Sequence, residues 1–175
     1  MKEPERILIT GFMAAGKTTV GAALAERLGC NMLDLDQLIT EREGCSIQAL
    51  IDERGETLFR EAETRALREA LEKKAARVIT LGGGTWTRDH NRSLIDKHRG
   101  FTIWLDTPFE LCWQRIKLAG DTRPLARNLE GARKLYEERR RLYRLAPLRI
   151  EVKDASDAGM IADEIINALQ GFERT

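Results

Sequence analysis

Arg6-Ile7-Leu8-Ile9-Thr10 leads without a break into Gly11-Phe12-Met13-Ala14-Ala15-Gly16-Lys17-Thr18. The first five residues read as a strand. Lys17–Leu28 reads as a helix, because Val20, Leu24 and Leu28 recur at i, i+4 and i+8 before Gly29. Between strand and helix stands the pattern GxxxxGK[ST]. The spacing has a mechanical reason. Gly11 and Gly16 let the backbone wrap a phosphate closely, and the loop amides and helix N-terminus point at the anion. Lys17 supplies a point charge to β/γ-phosphates, and the Thr18 hydroxyl can ligate Mg2+.

Outward from this loop, short apolar runs alternate with helical patterns. Further strands are expected at Asn31–Leu35, Arg77–Leu81, Phe101–Leu105 and Arg149–Val152. A mostly helical stretch reaches about residue 75, broken at Gly44 and Gly55. Thr107-Pro108-Phe109-Glu110 reads as a capping box, with Thr107 as the cap, Pro108 at the first helical position and Glu110 reaching back. Residues 118–127 read as a loop, Leu129–Ala146 as a long helix and Asp157–Leu169 as a closing one. Strands separated by helices imply an α/β fold, a parallel sheet with helices on both faces. Such sheets bind ligands at the carboxyl ends of their strands.

Chemistry is therefore sought just after each strand. Asp34 and Asp36 follow the second, and alternation would place both on one face, about 6.8 Å apart. One can support Mg2+ while the other meets an acceptor; helix capping by Asp36 is the plainer alternative. Gly82-Gly83-Gly84 follows the third strand, where a wide turn would rarely need three glycines. Arg60 can pair with Glu63 three residues on. Arg139 fills a gap in the apolar stripe Leu129, Ala132, Leu135, Tyr136, Leu142, Tyr143 and Ala146, while Arg140 and Arg141 fall to the sides. An arginine on such a stripe either snorkels or has an anionic partner.

Residues 123–149 hold nine basic and three acidic residues, so this segment is either a solvated face or an anion-binding wall with Arg123 as its lid arginine. The whole chain of 175 residues carries a net charge of only +1, which argues against a nucleic-acid binder. No apolar run approaches the ~18 residues of a membrane span. The charged opening MKEPER precedes an apolar stretch too short for a signal sequence, so a cytoplasmic protein is expected. Cys30, Cys45 and Cys112 show no metal-ligand spacing and read as reduced thiols. No NKxD segment reads guanine, and no carboxylate ends the third strand as in large ATPases.

GFMAAGKTTVG, LDLD, Phe59-Arg60-Glu61-Ala62-Glu63, LGGG, Thr122-Arg123-Pro124-Leu125 and Glu138-Arg139 ahead of Leu142-Tyr143 together resemble the shikimate kinase family. The resemblance runs in order from residue 6 to about 152. It implies a P-loop kinase-like three-layer sandwich with a five-stranded parallel sheet in the order 2-3-1-4-5. It implies one domain over residues 1–175, with a substrate-binding subdomain at about 36–62 and a lid at about 116–128. By matching position, Ala14, Ala15, Gly16, Lys17, Thr18, Thr19 and Arg123 would contact ATP, and Thr18 and Asp34 would hold Mg2+. Asp36, Arg60, Gly82, Gly83, Gly84 and Arg139 would hold shikimate, with Lys17, Asp36 and Arg123 catalytic and Glu63 orienting Arg60. The implied reaction is ATP-dependent phosphorylation of the 3-hydroxyl of shikimate, in chorismate and aromatic amino acid biosynthesis, by a monomer without nucleic-acid or membrane partners. A gluconate-type kinase, a nucleotide monophosphate kinase and a nucleotide-gated binding module are the alternatives. The chain departs from the family in having Ala14 for Gly, Arg141 for Pro, Ile51 for an aromatic residue and a lid about one residue longer. A Cβ at position 14 calls for a negative φ.

Overall fold

The computed structural model describes residues 5–73, 76–119, 128–154 and 156–173. Strand β1 (Arg6–Thr10) feeds the loop and helix α1 (Lys17–Arg27); β2 (Met32–Asp34) is followed by α2 (Leu35–Glu43) and α3 (Ile47–Lys73). Then come β3 (Val78–Thr80), α4 (Asp89–Lys97), β4 (Gly100–Asp106), α5 (Phe109–Leu118), α6 (Leu129–Tyr143), β5 (Leu148–Glu151) and α7 (Ala158–Glu173). All strand pairs are parallel, and the sheet order is β2-β3-β1-β4-β5. The expected sheet is therefore the one observed.

Every residue of β1 is buried, as a central parallel strand covered on both faces requires. Strand alternation divides the core in two. Ile7, Ile9, Val78, Ile103 and Ile150 pack with Val20 and Leu24 of α1 and Ile161 and Ile165 of α7. Leu8, Ile79 and Trp104 face the other way, onto Leu67 and Leu71 of α3, Ile95 of α4 and Tyr136 and Tyr143 of α6. No described helix is long and apolar enough to cross a membrane.

Several local expectations need correction. Helix α4 had no expected counterpart, because Asp89–Lys97 contains only two apolar residues, Leu94 and Ile95. Besides the core contact of Ile95, a polar contact holds it: the buried Asn91 amide donates to the Thr85 carbonyl and accepts from Thr64. Thr107 does not cap α5, whose N-cap is Pro108. Its hydroxyl is buried and donates to the Ala15 carbonyl, tying the end of β4 to the first loop. Asp34 and Asp36 do not alternate along a strand. Asp34 ends β2 and caps α2, accepting from the Asp36 and Gln37 amides, and Asp36 already lies within the helix. The cap is thus Asp34 rather than Asp36. Gly44 terminates α2 in a left-handed conformation, and Gly55 breaks the helical path of α3, as the sequence implied.

The first loop depends on how closely α1 lies against the sheet. A Cβ on Gly21 would sit 2.5 Å from Thr80 Cγ2 and 2.9 Å from Met32 Sδ. Gly21→Ala should therefore cost about 1–3 kcal/mol through overpacking. Thermal unfolding should show a melting temperature lower by several degrees; an unchanged value would mean that α1 has room to move.

Candidate active site

The loop between β1 and α1 is built so that its amide edge faces an anion. Its carbonyls are engaged elsewhere: Lys17 Nζ donates to Gly11 and Phe12 at 3.1 and 2.8 Å, Arg115 to Ala14 at 3.2 Å and Thr107 to Ala15 at 3.0 Å. Gly11 has φ 151°, and a Cβ there would lie 2.8 Å from the Leu105 carbonyl oxygen. Gly16 has φ 96° and Ala14 φ 57°. The negative φ expected at Ala14 is not found. The left-handed turn that suits an anion nest overrides the steric preference of its Cβ.

Thr18, the second residue of α1, donates to Asp34 Oδ2 at 2.7 Å, and Thr80 donates to the same oxygen at 2.9 Å. A cleft of about 500 Å³ opens along Ala14, Ala15, Gly16, Lys17, Thr18 and Thr19 and continues past Asp34, Asp36, Leu81 and Arg115. The two aspartates thus sit at different depths: Asp34 against the loop's threonine, Asp36 one helical step further on.

On the acceptor side, Gly82-Gly83-Gly84 gives room to three different side chains. A Cβ on Gly82 would lie 2.6 Å from Asp36 Oδ1, one on Gly83 3.2 Å from Arg139 Nη1, and one on Gly84 2.8 Å from Arg60 Cζ. None of the three has a positive φ, so space rather than turn geometry requires them. Arg60 pairs with Glu63 at 3.1 Å and with Glu56 at 3.1 Å. Glu63 is fully buried and also accepts from the Thr85 hydroxyl at 2.7 Å. The pair is therefore not an exposed helix pair but a fixed fork beside the glycine turn.

Arg139 lies on the buried face of α6 with Ala132, Tyr136 and Tyr143, as the helical period implied. It is 8% exposed, and among the described residues no carboxylate forms an ion pair with it. Among the described residues, 128–149, the basic side chains do not form one wall. Arg133 pairs with Glu110, Arg140 and Arg149 pair with buried Asp106, and Arg141 and Arg144 are exposed. Arg123 lies outside the described residues. Arg115 is a cleft residue that sequence reasoning missed; its position on α5 brings it to the first loop only through the β1–β4 pairing.

A phosphate-cradling loop opening on a cleft that reaches Asp36, with a glycine turn packed by Asp36, Arg139 and Arg60 after β3 of a 2-3-1-4-5 parallel sheet, is the arrangement of a P-loop kinase. The chain belongs to the shikimate kinase family: the family model described as shikimate kinase matches residues 13–170. The shikimate kinase of Sulfurihydrogenibium sp. (strain YO3AOP1) is 36% identical over 166 residues, covering 95% of this chain and 98% of that protein. That of Persephonella marina is 38% identical over 165 residues, covering 94% and 98%. The solved structure of the shikimate kinase from Acinetobacter baumannii in complex with shikimate superposes with a TM-score of 0.88 at 36% identity, covering 97% of this chain and 95% of that one.

The left-handed Ala14 generates a test. An L-residue there costs roughly 1–2 kcal/mol, partly offset by the ~0.5–1 kcal/mol by which glycine loosens the unfolded chain. Ala14→Gly should raise the melting temperature by a degree or a few. A clear fall would show that the alanine methyl makes a compensating contact.

Proposed function

We propose that this kinase transfers the γ-phosphoryl group of ATP to the 3-hydroxyl of shikimate, in the route to chorismate and the aromatic amino acids. The observation that carries the reading is the glycine turn, which packs against two arginines and against Asp36, itself a cleft residue. Arg60 and Arg139 suit the acceptor's carboxylate, since guanidinium matches carboxylate in a two-pronged hydrogen bond. Asp36 suits its hydroxyls, accepting or steering the proton of the one that attacks.

At the other end, Lys17 would exchange the Gly11 and Phe12 carbonyls for β/γ-phosphate oxygens. The loop amides from Ala14 to Thr19 would hold the triphosphate. The Thr18 hydroxyl and Asp34 carboxylate, 2.7 Å apart, are hard oxygen donors. They fit Mg2+, which binds through one or two protein oxygens together with phosphates and water. Mg2+ would neutralise charge on the transferring group. Arg123 keeps the ATP-side role that the family resemblance implies. The protein is read as a cytoplasmic monomer of one domain, with residues at about 36–62 holding the acceptor and a lid at about 116–128, of which 120–127 lie outside the described residues.

Catalysis in this arrangement is positioning and charge stabilisation rather than covalent chemistry. ADP release, followed across shikimate, gluconate, AMP and no acceptor, should be fast with shikimate alone. Comparable turnover with gluconate or AMP would move the acceptor assignment, and equal release without acceptor would make the protein a hydrolase.

Arg139 gives a sharper expectation. A hydrogen bond to a charged group contributes ~1.5–3 kcal/mol, and a fork can form two. Arg139→Ala should raise the KM for shikimate roughly ten- to several-hundredfold while leaving the KM for ATP nearly unchanged. The exposed Arg141→Ala should stay within a few-fold. Arg140 is no simple surface control, because it is half-buried against Asp106. Equal discrimination by wild type and Arg139→Ala against the amide of the substrate carboxylate would show that the carboxylate is read elsewhere.

A further inference from the structure

Two groups assigned to the acceptor come from opposite halves of the chain, Arg139 from α6 and the glycine turn from the end of β3. Something must set their mutual distance. The Tyr143 hydroxyl donates to the Gly83 carbonyl at 2.5 Å, across 60 residues of sequence. Tyr143 stands one helical turn after Arg139, so both point from the same face of α6. The Arg139 guanidinium meanwhile lies against Gly83, where an added Cβ would stand 3.2 Å from its Nη1. Gly83 is thus gripped through its carbonyl by one residue and packed by the other.

The rest of the surroundings make the tyrosine rigid. Its ring is 1% exposed, and Trp104 lies 6.1 Å away between centroids. Next to it, Trp86 Nε1 donates to the Leu142 carbonyl at 3.2 Å, a second tie between the glycine-turn segment and the end of α6. Burial pushes the Tyr143 phenol up to about 12, although the adjacent Arg139 and the nearby Arg60 pull the other way. The hydroxyl therefore stays protonated and donating throughout the working pH range of an enzyme.

We infer that Tyr143 is a positioning residue for the acceptor: its hydroxyl sets the register of the Arg139 guanidinium against Gly83 and so the place where the acceptor's carboxylate is read. The inference rests on the proposed acceptor site. It assigns Tyr143 no contact with substrate. Gly83 also neighbours the first loop, since an added Cβ would lie 3.6 Å from the Gly11 carbonyl oxygen and from the Met13 amide nitrogen. The loop's carbonyls are held by Lys17, Thr107 and Arg115, however, so the larger consequence falls on the acceptor side.

The test is a double-mutant cycle on the full chain, with kcat and both KM values measured for wild type, Tyr143→Phe, Arg139→Ala and the double variant. Tyr143→Phe keeps the ring and removes the hydroxyl, with both its bond to the Gly83 carbonyl and its hydrogen bond with the Arg139 side chain. It should raise the KM for shikimate about tenfold, with the KM for ATP within about twofold, at every pH from about 6 to 9. In the Arg139→Ala background the same change should be worth less than about threefold, because both act on one contact. Full additivity, or an equal rise in both KM values, would overturn the inference. Failure of the wild type to use shikimate would instead overturn the acceptor assignment. Should Tyr143→Phe not fold, Gly83→Ala makes the test from the other side: its Cβ crowds the Arg139 guanidinium at 3.2 Å while meeting the first loop only at ordinary contact distance. It should therefore raise the KM for shikimate more than the KM for ATP. Unchanged shikimate affinity in Gly83→Ala would refute the register.

Discussion

One carboxylate organises the catalytic edge of this protein. Asp34 accepts from the Thr18 hydroxyl, the Thr80 hydroxyl, the Asp36 amide and the Gln37 amide. It thereby joins the start of α1, the end of β3 and the first turn of α2. Buried and half-buried carboxylates are costly unless their lone pairs are used, and here both oxygens are. The position of Asp36 follows from this capping. Asp36, the acidic side chain proposed to meet the acceptor, is carried by the helix that Asp34 caps.

The glycine turn is the complementary constraint. Its three missing Cβ atoms leave room for Asp36, Arg139 and Arg60, which belong to three different helices. Charge is balanced unevenly around it. Arg60 is held by Glu56 and by buried Glu63, which fixes its direction. Arg139 has no such carboxylate among the described residues, so in the proposed function a bound anion would neutralise its charge. A buried guanidinium without a carboxylate costs free energy, which the carboxylate of the proposed acceptor would offset on binding.

What could be read directly from the residues was local. The loop from Gly11 to Thr18 is legible because its function depends on backbone amides within one turn. Arg139 is legible because a charged residue interrupts an apolar helical stripe. The strand order entered through the family resemblance and is the observed one. Helix α4 is not legible because its apolar signal is only Leu94 and Ile95, with the buried Asn91 amide supplying a polar anchor beside them. Thr107 was misread because Thr-Pro-x-Glu fits a helix cap equally well as a tie to a distant carbonyl.

The amino-acid sequence by itself determined the phosphate cradle, the alternation of strands and helices, and which arginine of 139–141 faces inward. These depend on spacing along a helix or turn, and that spacing is set by backbone geometry. Tertiary structure alone decided that Ala14 is left-handed, that Arg115 reaches the loop, that Asp34 rather than Asp36 caps α2, and that Tyr143 grips Gly83. Each of these depends on where another element lies. The Tyr143–Gly83 bond closes across 60 residues and the Arg115–Ala14 bond across 101. No local period encodes such a distance; it exists only once the sheet has brought the strand ends to one edge.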